Sequence, residues 1–282
     1  TTTTGDLARV APALTLAVLS LKGGTGKTTT VLGLAGAAAA RGLRVLVVDL
    51  DPQANATDGL GVTDADFTSN DVIADARPGV AADAIAGSPW PGVDVIPAER
   101  ALEHRGPHEG RDSAQRLRVA LTGVPQRYDV VLMDCPPSLG ELTRNALAAA
   151  QGALVVTEPS YFALTGAAAA LDAIDVVRAS TNLALAPYGI VVDRFRAATA
   201  EHAFRLGELR ESYPRLLLDP PVPERTAVQQ AQGAGIAVQA WRSDGAREVA
   251  AVLDTLLLAL LERHRDHHPV RPASRAAGEE TR

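Results

Sequence analysis

Short, unbroken apolar runs alternate along this chain with longer stretches whose apolar residues recur at helical spacing. Residues 14–20 (LTLAVLS), 44–50 (RVLVVDL), 93–96, 129–133, 153–157 and 188–192 are runs of strand length, and 215–218 is a candidate last strand. Helical spacing covers about 27–40, 139–150, 163–178, 200–212, 225–232 and 244–265. Residues 70–87 read as two short helices, and 113–123 as a helix capped by Ser113. Residues 51–63 read as a loop with one short turn, and the polar 98–112 as a mobile excursion. Strands that are apolar on both faces need cover on both faces. The pattern therefore predicts an α/β protein: a single doubly wound domain over 14–265, mostly parallel, with helices on both faces and a ligand at the carboxyl ends of its strands. Residues 1–13 and 266–282 are expected to be disordered ends, and no internal repeat is visible.

Composition narrows the picture. The 282 residues are 46% hydrophobic but only 4% aromatic, so Ala, Val and Leu must build the core. One cysteine, Cys135, excludes an intrachain disulfide and implies a reducing compartment, the cytoplasm. Thr1 to Asp6 is polar, and nothing near it resembles an export signal. No apolar run reaches 18 residues, so no membrane partner is expected. With 27 basic against 33 acidic residues the net charge is −6, and any DNA contact must come from a local patch. Among those 27 basic residues only Lys22 and Lys27 are lysines, and both fall in one glycine-rich loop. An arginine-biased genome explains the scarcity but not the placement. Two positions in that loop call for a compact ammonium, where a planar guanidinium will not serve.

That loop, 22–28 (KGGTGKT), follows a strand and opens a helix. It fits the phosphate-binding pattern Gly-x-x-x-x-Gly-Lys-Ser/Thr except at its first position, which is Leu21. Gly23, Gly24 and Gly26 let the backbone wrap a phosphate, with Thr25 between them and the helix N-terminus adding positive charge. Lys27 can reach the β- and γ-phosphates, Thr28 offers a hydroxyl to Mg²⁺, and Thr29 can reach the α-phosphate. Asp49 and Asp51 end the second strand, where one can support a metal shell while the other faces the terminal phosphate. Asp134 ends the apolar run 130–133 in the Walker-B manner, as an acid for Mg²⁺.

KGGTGKTTT, VDLDPQAN (48–55) and YDVVLMDCPPSLGELTRNAL (128–147), in that order, resemble the ParA/MinD group of deviant-Walker ATPases, and most of all the ParA-type partition proteins. The likeness spans about 14–260. It implies ATP and Mg²⁺ as ligands. It also implies a homodimer formed on ATP binding, slow hydrolysis, a ParB-like activator and non-specific DNA binding at the nucleoid. By resemblance, Lys22 is the signature lysine that crosses to the partner's nucleotide, and Lys27 is the ordinary P-loop lysine. Asp51 positions the attacking water and joins Thr28 and Asp134 at the metal. Pro223, in the segment from Val222 onward, lines the adenine pocket. Arg194 stands where relatives contact the base, beside Asp193 in place of an asparagine. Relatives hold DNA through arginines after the adenine segment; here one of those is Ala227, which leaves Arg225.

Arg194, Arg196, Arg205, Arg210 and Arg215 face Glu201, Glu208 and Glu211 in sequence, a modest basic excess that equally fits a solvated mixed-charge face. The alternative role is a ParA-like positioning ATPase for a protein assembly, with little DNA binding. A metabolic P-loop enzyme of related fold is a third reading, against which Lys22 and the DPQ loop argue. Cys135 reads as a core thiol, since iron–sulfur or zinc relatives need two cysteines. His264, His267 and His268 read as a solvated tail, and the stripe Val249, Val252, Leu253, Leu256, Leu257 and Leu260 as a last core helix.

Overall fold

Strands β1 (Leu14–Leu19), β2 (Val45–Asp49), β3 (Ala86–Gly87), β4 (Val93–Ile96), β5 (Val130–Asp134), β6 (Gly152–Thr157) and β7 (Ala186–Val192) form one sheet in the order β3-β4-β2-β5-β1-β6-β7. The computed structural model describes residues 12–104 and 113–268. Every neighbouring pair is parallel except β3, a two-residue antiparallel edge on β4 that the sequence pattern did not mark. All residues of β1, β2, β5 and β6 are buried, as a sheet covered on both faces requires.

Side chains alternate between the two covers. From β1, Leu14, Leu16 and Val18 join a cluster with Val31 and Leu34 of α1 (Lys27–Ala40) and Leu253 and Leu256 of α9 (Asp244–His267). Ala17 and Leu19 join the opposite cluster with Leu142 of α5 (Glu141–Ala149), Ala170 of α6 (Ala163–Ser180) and Leu206 of α7 (Ala200–Ser212). The small residues of α1 let its neighbours come close: a Cβ on Gly33 would stand 2.6 Å from a methyl of Leu253. Three shorter helices, α2 (Asn55–Gly59), α3 (Ser69–Asp75) and α4 (Arg116–Ala120), lie in the connections, and α8 (Thr226–Gly233) precedes α9.

Several expectations need correction. Residues 215–218 form no strand; they make only an isolated parallel bridge, Ile190 to Leu217. Pro214 before them and Pro220 and Pro221 after them cannot donate to a ladder, which keeps the segment from extending. The helix expected over 113–123 begins as a 3-10 turn at Ser113–Gln115 and ends at Ala120, before Gly123 turns with φ of 80°. The last helix continues past 265 to His267. His264 falls in line with Leu253, Leu257 and Leu260 and is 2% exposed, not solvated. Its Nε2 lies 2.8 Å from the Pro12 carbonyl and its Nδ1 3.3 Å from the Tyr188 hydroxyl. His267 is exposed. Cys135 is fully buried, and burial pushes its thiol up to about 12. No described helix is long and apolar enough to cross a membrane. The expected disorder of 1–11 and 269–282, and most of the 98–112 excursion, lie outside the described residues; within the excursion, Arg100–His104 is a 3-10 turn.

Candidate nucleotide site

The carboxyl ends of β1, β2, β5 and β6 lie side by side, and each delivers chemistry to one place. After β1 the chain turns through Gly24 (φ 82°) and Gly26 (φ 90°), left-handed conformations that suit glycine. Gly26 is also packed: a Cβ there would stand 1.9 Å from a carboxylate oxygen of Asp193. Helix α1 starts at the next residue, so its free amides face the loop.

A cavity of about 630 Å³ follows this loop. The structure brings Lys22, Gly23, Gly24, Thr25, Gly26, Lys27, Thr28, Thr29 and Asp51 to its lining. Asp134 sits beneath, fully buried. The Lys27 ammonium is ion-paired with Asp134 Oδ1 and lies 3.6 Å from Asp51 Oδ2. Thr28 Oγ1 donates to Asp134 Oδ2 at 2.7 Å. Burial works against the Lys27 charge, but Asp134, by charge and hydrogen bond, and then Asp51 outweigh it and hold Lys27 above the ordinary lysine range.

Asp49 and Asp51 do face differently. Asp49 turns inward, accepting from Thr57 N at 2.9 Å, Thr57 Oγ1 at 2.8 Å and Asp51 N at 3.0 Å. Burial, and then the Asp134 charge, push its carboxyl up to about 7. It holds the 51–57 loop in shape and leaves the cavity to Asp51.

Lys22 behaves unlike Lys27. Its side chain is 59% exposed at the cavity rim and ion-paired with Glu158, just past the end of β6. Arg194, with φ of 59°, lies across the loop and donates from Nη1 to the Gly24 carbonyl at 2.6 Å. Pro223 is not brought to this cavity; it bridges to Phe195, while Val222 lines a separate small void behind Thr29 and Thr30.

Sequence reasoning, which had Gln53, Asn55 and Pro137 within its motifs, missed Asp58, Gly59, Gln232 and Gly233 in the lining and Glu158 beside Lys22. Glu158 carried a signal: like Asp134, it is an acid at the end of an apolar strand. Gln232, whose Nε2 lies 3.4 Å from Thr29 Oγ1, carried none, because 203 residues separate them.

The donor set fits a magnesium nucleotide. Thr25 Oγ1 is buried without a partner beside loop glycines that a phosphate could approach. No cluster of three acidic, histidine or cysteine ligands exists among the described residues. A few oxygen donors completed by phosphates suit Mg²⁺, which seldom occupies an all-protein cage.

Comparison with known proteins agrees with this geometry. A family model described as an AAA domain matches residues 13–186. The chain is 37% identical over 232 residues to the chromosome partitioning protein ParA of Caulobacter vibrioides, covering 79% of this chain and 85% of that protein. It is 34% identical over 249 residues to the chromosome-partitioning ATPase Soj of Thermus thermophilus, covering 88% and 96%. Among solved structures, cobyrinic acid a,c-diamide synthase from Mycobacterium smegmatis, with bound ATP analogue and magnesium, superposes with a TM-score of 0.76 at 28% identity, covering 92% of this chain and all of that one. With its doubly wound sheet, its two-lysine phosphate loop and these relatives, the chain belongs to the ParA/MinD family of P-loop ATPases.

Proposed function

We propose that this chain is an ATP-driven dimerising switch of the partitioning type. One observation carries the reading: its two lysines occupy opposite situations in one cavity. Lys27 is 6% exposed and faces inward to Asp134 and Asp51; Lys22 is 59% exposed and stands at the rim. A cation at the rim suits a phosphate presented by a second copy. Closure then depends on a γ-phosphate, and hydrolysis releases it.

In this reading Gly23 to Thr29 bind the phosphates and Lys27 neutralises the terminal ones. Thr28, Asp134 and Asp51 would hold Mg²⁺, which when bound supplies charge neutralisation on the phosphates. Asp51 also orients the attacking water. Phosphoryl transfer asks for alignment and electrostatics more than covalent chemistry, so these groups suffice for slow turnover. A ParB-like activator would set its pace, in the cytoplasm or on the nucleoid.

Sedimentation velocity tests the switch. Wild type should be dimeric with ATP and monomeric with ADP. Lys22→Ala should bind ATP yet stay monomeric, and Asp51→Ala should hydrolyse poorly and stay dimeric. Identical profiles of the wild type in ATP and ADP would remove the basis of the reading.

A second reading, a positioning ATPase with little DNA affinity, is favoured by the state of the arginines. Arg196 pairs with Glu224, Arg205 with Glu201 and Glu208, Arg210 with Asp219, and Arg225 with both carboxylate oxygens of Glu248. Each of these guanidiniums would have to leave a carboxylate before holding a DNA phosphate, which lowers the net gain from DNA. Gel retention of unrelated duplexes decides. Retention that needs ATP and weakens steeply with salt supports non-specific DNA binding; none at low salt supports the second reading.

A further inference from the structure

Lys22 and Glu158 come from neighbouring strands. β1 and β6 run in parallel with Leu19 opposite Val155, so the residues that follow both strand ends emerge at the same edge of the sheet. Lys22 lies three residues past β1 and Glu158 one residue past β6. Their side chains meet as an ion pair, with Glu158 the more sheltered at 21% exposure. Pro159 stiffens the chain just after Glu158, and an apolar groove lined by Leu21, Thr25, Phe162 and Thr165 runs beside the pair.

An ammonium has one position at a time. If it is paired with Glu158 of its own chain, it is not available to a phosphate in another. Lys27 shows the same arrangement deeper in the cavity, where Asp134 holds it. The difference is that Lys27 is enclosed and Lys22 is free to swing out.

We propose that Glu158 is a positioning residue that holds Lys22 within its own protomer and sets the threshold for nucleotide-driven closure. The proposal rests on the switch reading, in which Lys22 acts across the interface. The terminal phosphate of a second copy competes with Glu158 for the same cation. A half-exposed ion pair is weak enough for a phosphate to displace and strong enough to bias the resting state.

The full chain offers a direct readout, because Lys22 is one of only two lysines and the other is buried. Acylation of Lys22 by acetic anhydride, followed by mass spectrometry without nucleotide, measures how firmly the ammonium is held. Glu158→Gln should raise its rate by up to about fivefold, while Glu158→Asp should fall between. At saturating non-hydrolysable ATP analogue, Glu158→Gln should dimerise at a protein concentration lower by a similar factor, with nucleotide affinity of the monomer unchanged. Equal Lys22 reactivity in wild type and Glu158→Gln overturns the proposal. So does weaker dimerisation of Glu158→Gln, which would make Glu158 a support of the closed state. If Lys22 reactivity responds to Glu158→Gln but wild type never dimerises, the holding pair stands and the switch reading falls.

Discussion

Asp193 carries a carboxyl into the interior, 3% exposed, against the backbone of Gly26. It accepts from the Arg194 amide at 2.6 Å and from Thr30 Oγ1 at 3.3 Å. These bonds do not match what water would give, and burial pushes the carboxyl up to about 7. An unfolded aspartate titrates near about 4. Between those values the folded protein keeps a proton that the unfolded chain has lost, so stability falls as pH rises through this window. Asp49 contributes the same sign, and it does so in wild type and variant alike. Asp193→Asn keeps the shape and has no proton to lose. Its melting temperature should fall less than that of wild type between pH 5 and 8, by differential scanning calorimetry, and equal slopes would count against the buried-carboxyl account. The residues of the candidate phosphate loop were legible in the sequence, because glycines, a lysine and a threonine at fixed spacing carry their own geometry. Asp193 was weighed only as a substitute for asparagine. Its packing against Gly26 depends on a contact across 167 positions of chain, which no local pattern encodes.

Elements meet in this protein through small residues. Gly152 in β6 lies under the ring of Tyr188, and a Cβ there would come within 2.6–2.7 Å of three ring carbons. The ring is fully buried and cannot swing away cheaply. Gly152→Ala should destabilise by about 1–3 kcal/mol, seen as a lower urea midpoint with unchanged slope. Gly207 in α7 has nothing within 4 Å of the same position. Gly207→Ala should therefore stabilise by about 0.5–1 kcal/mol, the helix preference alone. If both substitutions behaved alike, crowding at β6 would not be the cause. Strand and helix positions were largely readable, since continuous apolar runs and helical spacing leave few alternatives. The failures fell where neighbours decide. Prolines stopped 215–218 from pairing as a strand, and the Tyr188–His264 contact drew the end of α9 into the core.

Across the whole molecule, the candidate phosphate cavity is assembled from strand ends that lie as far apart in the chain as Leu19 and Thr157. Parallel order makes this unavoidable: the carboxyl ends of β1, β2, β5 and β6 point the same way, and their loops share one rim. Asp51, Asp134 and Glu158 are three acids at three such ends, and between them they hold both lysines of the protein. In this account the unliganded chain is a set of cations matched to its own carboxylates. A magnesium nucleotide shared by two copies offers those cations a better match. The sequence made the first half of that scheme visible through the lysines. The second half, the Glu158 pair, required the register of β1 on β6.

The crystal structure of the full chain with a non-hydrolysable ATP analogue and Mg²⁺ tests this most directly, through the position of the Lys22 Nζ atom. The account predicts a symmetric dimer with that atom within hydrogen-bond reach of the analogue's terminal phosphate in the other protomer, and Glu158 released. A dimer whose Lys22 still pairs with its own Glu158, or a loaded chain that remains monomeric, would contradict it.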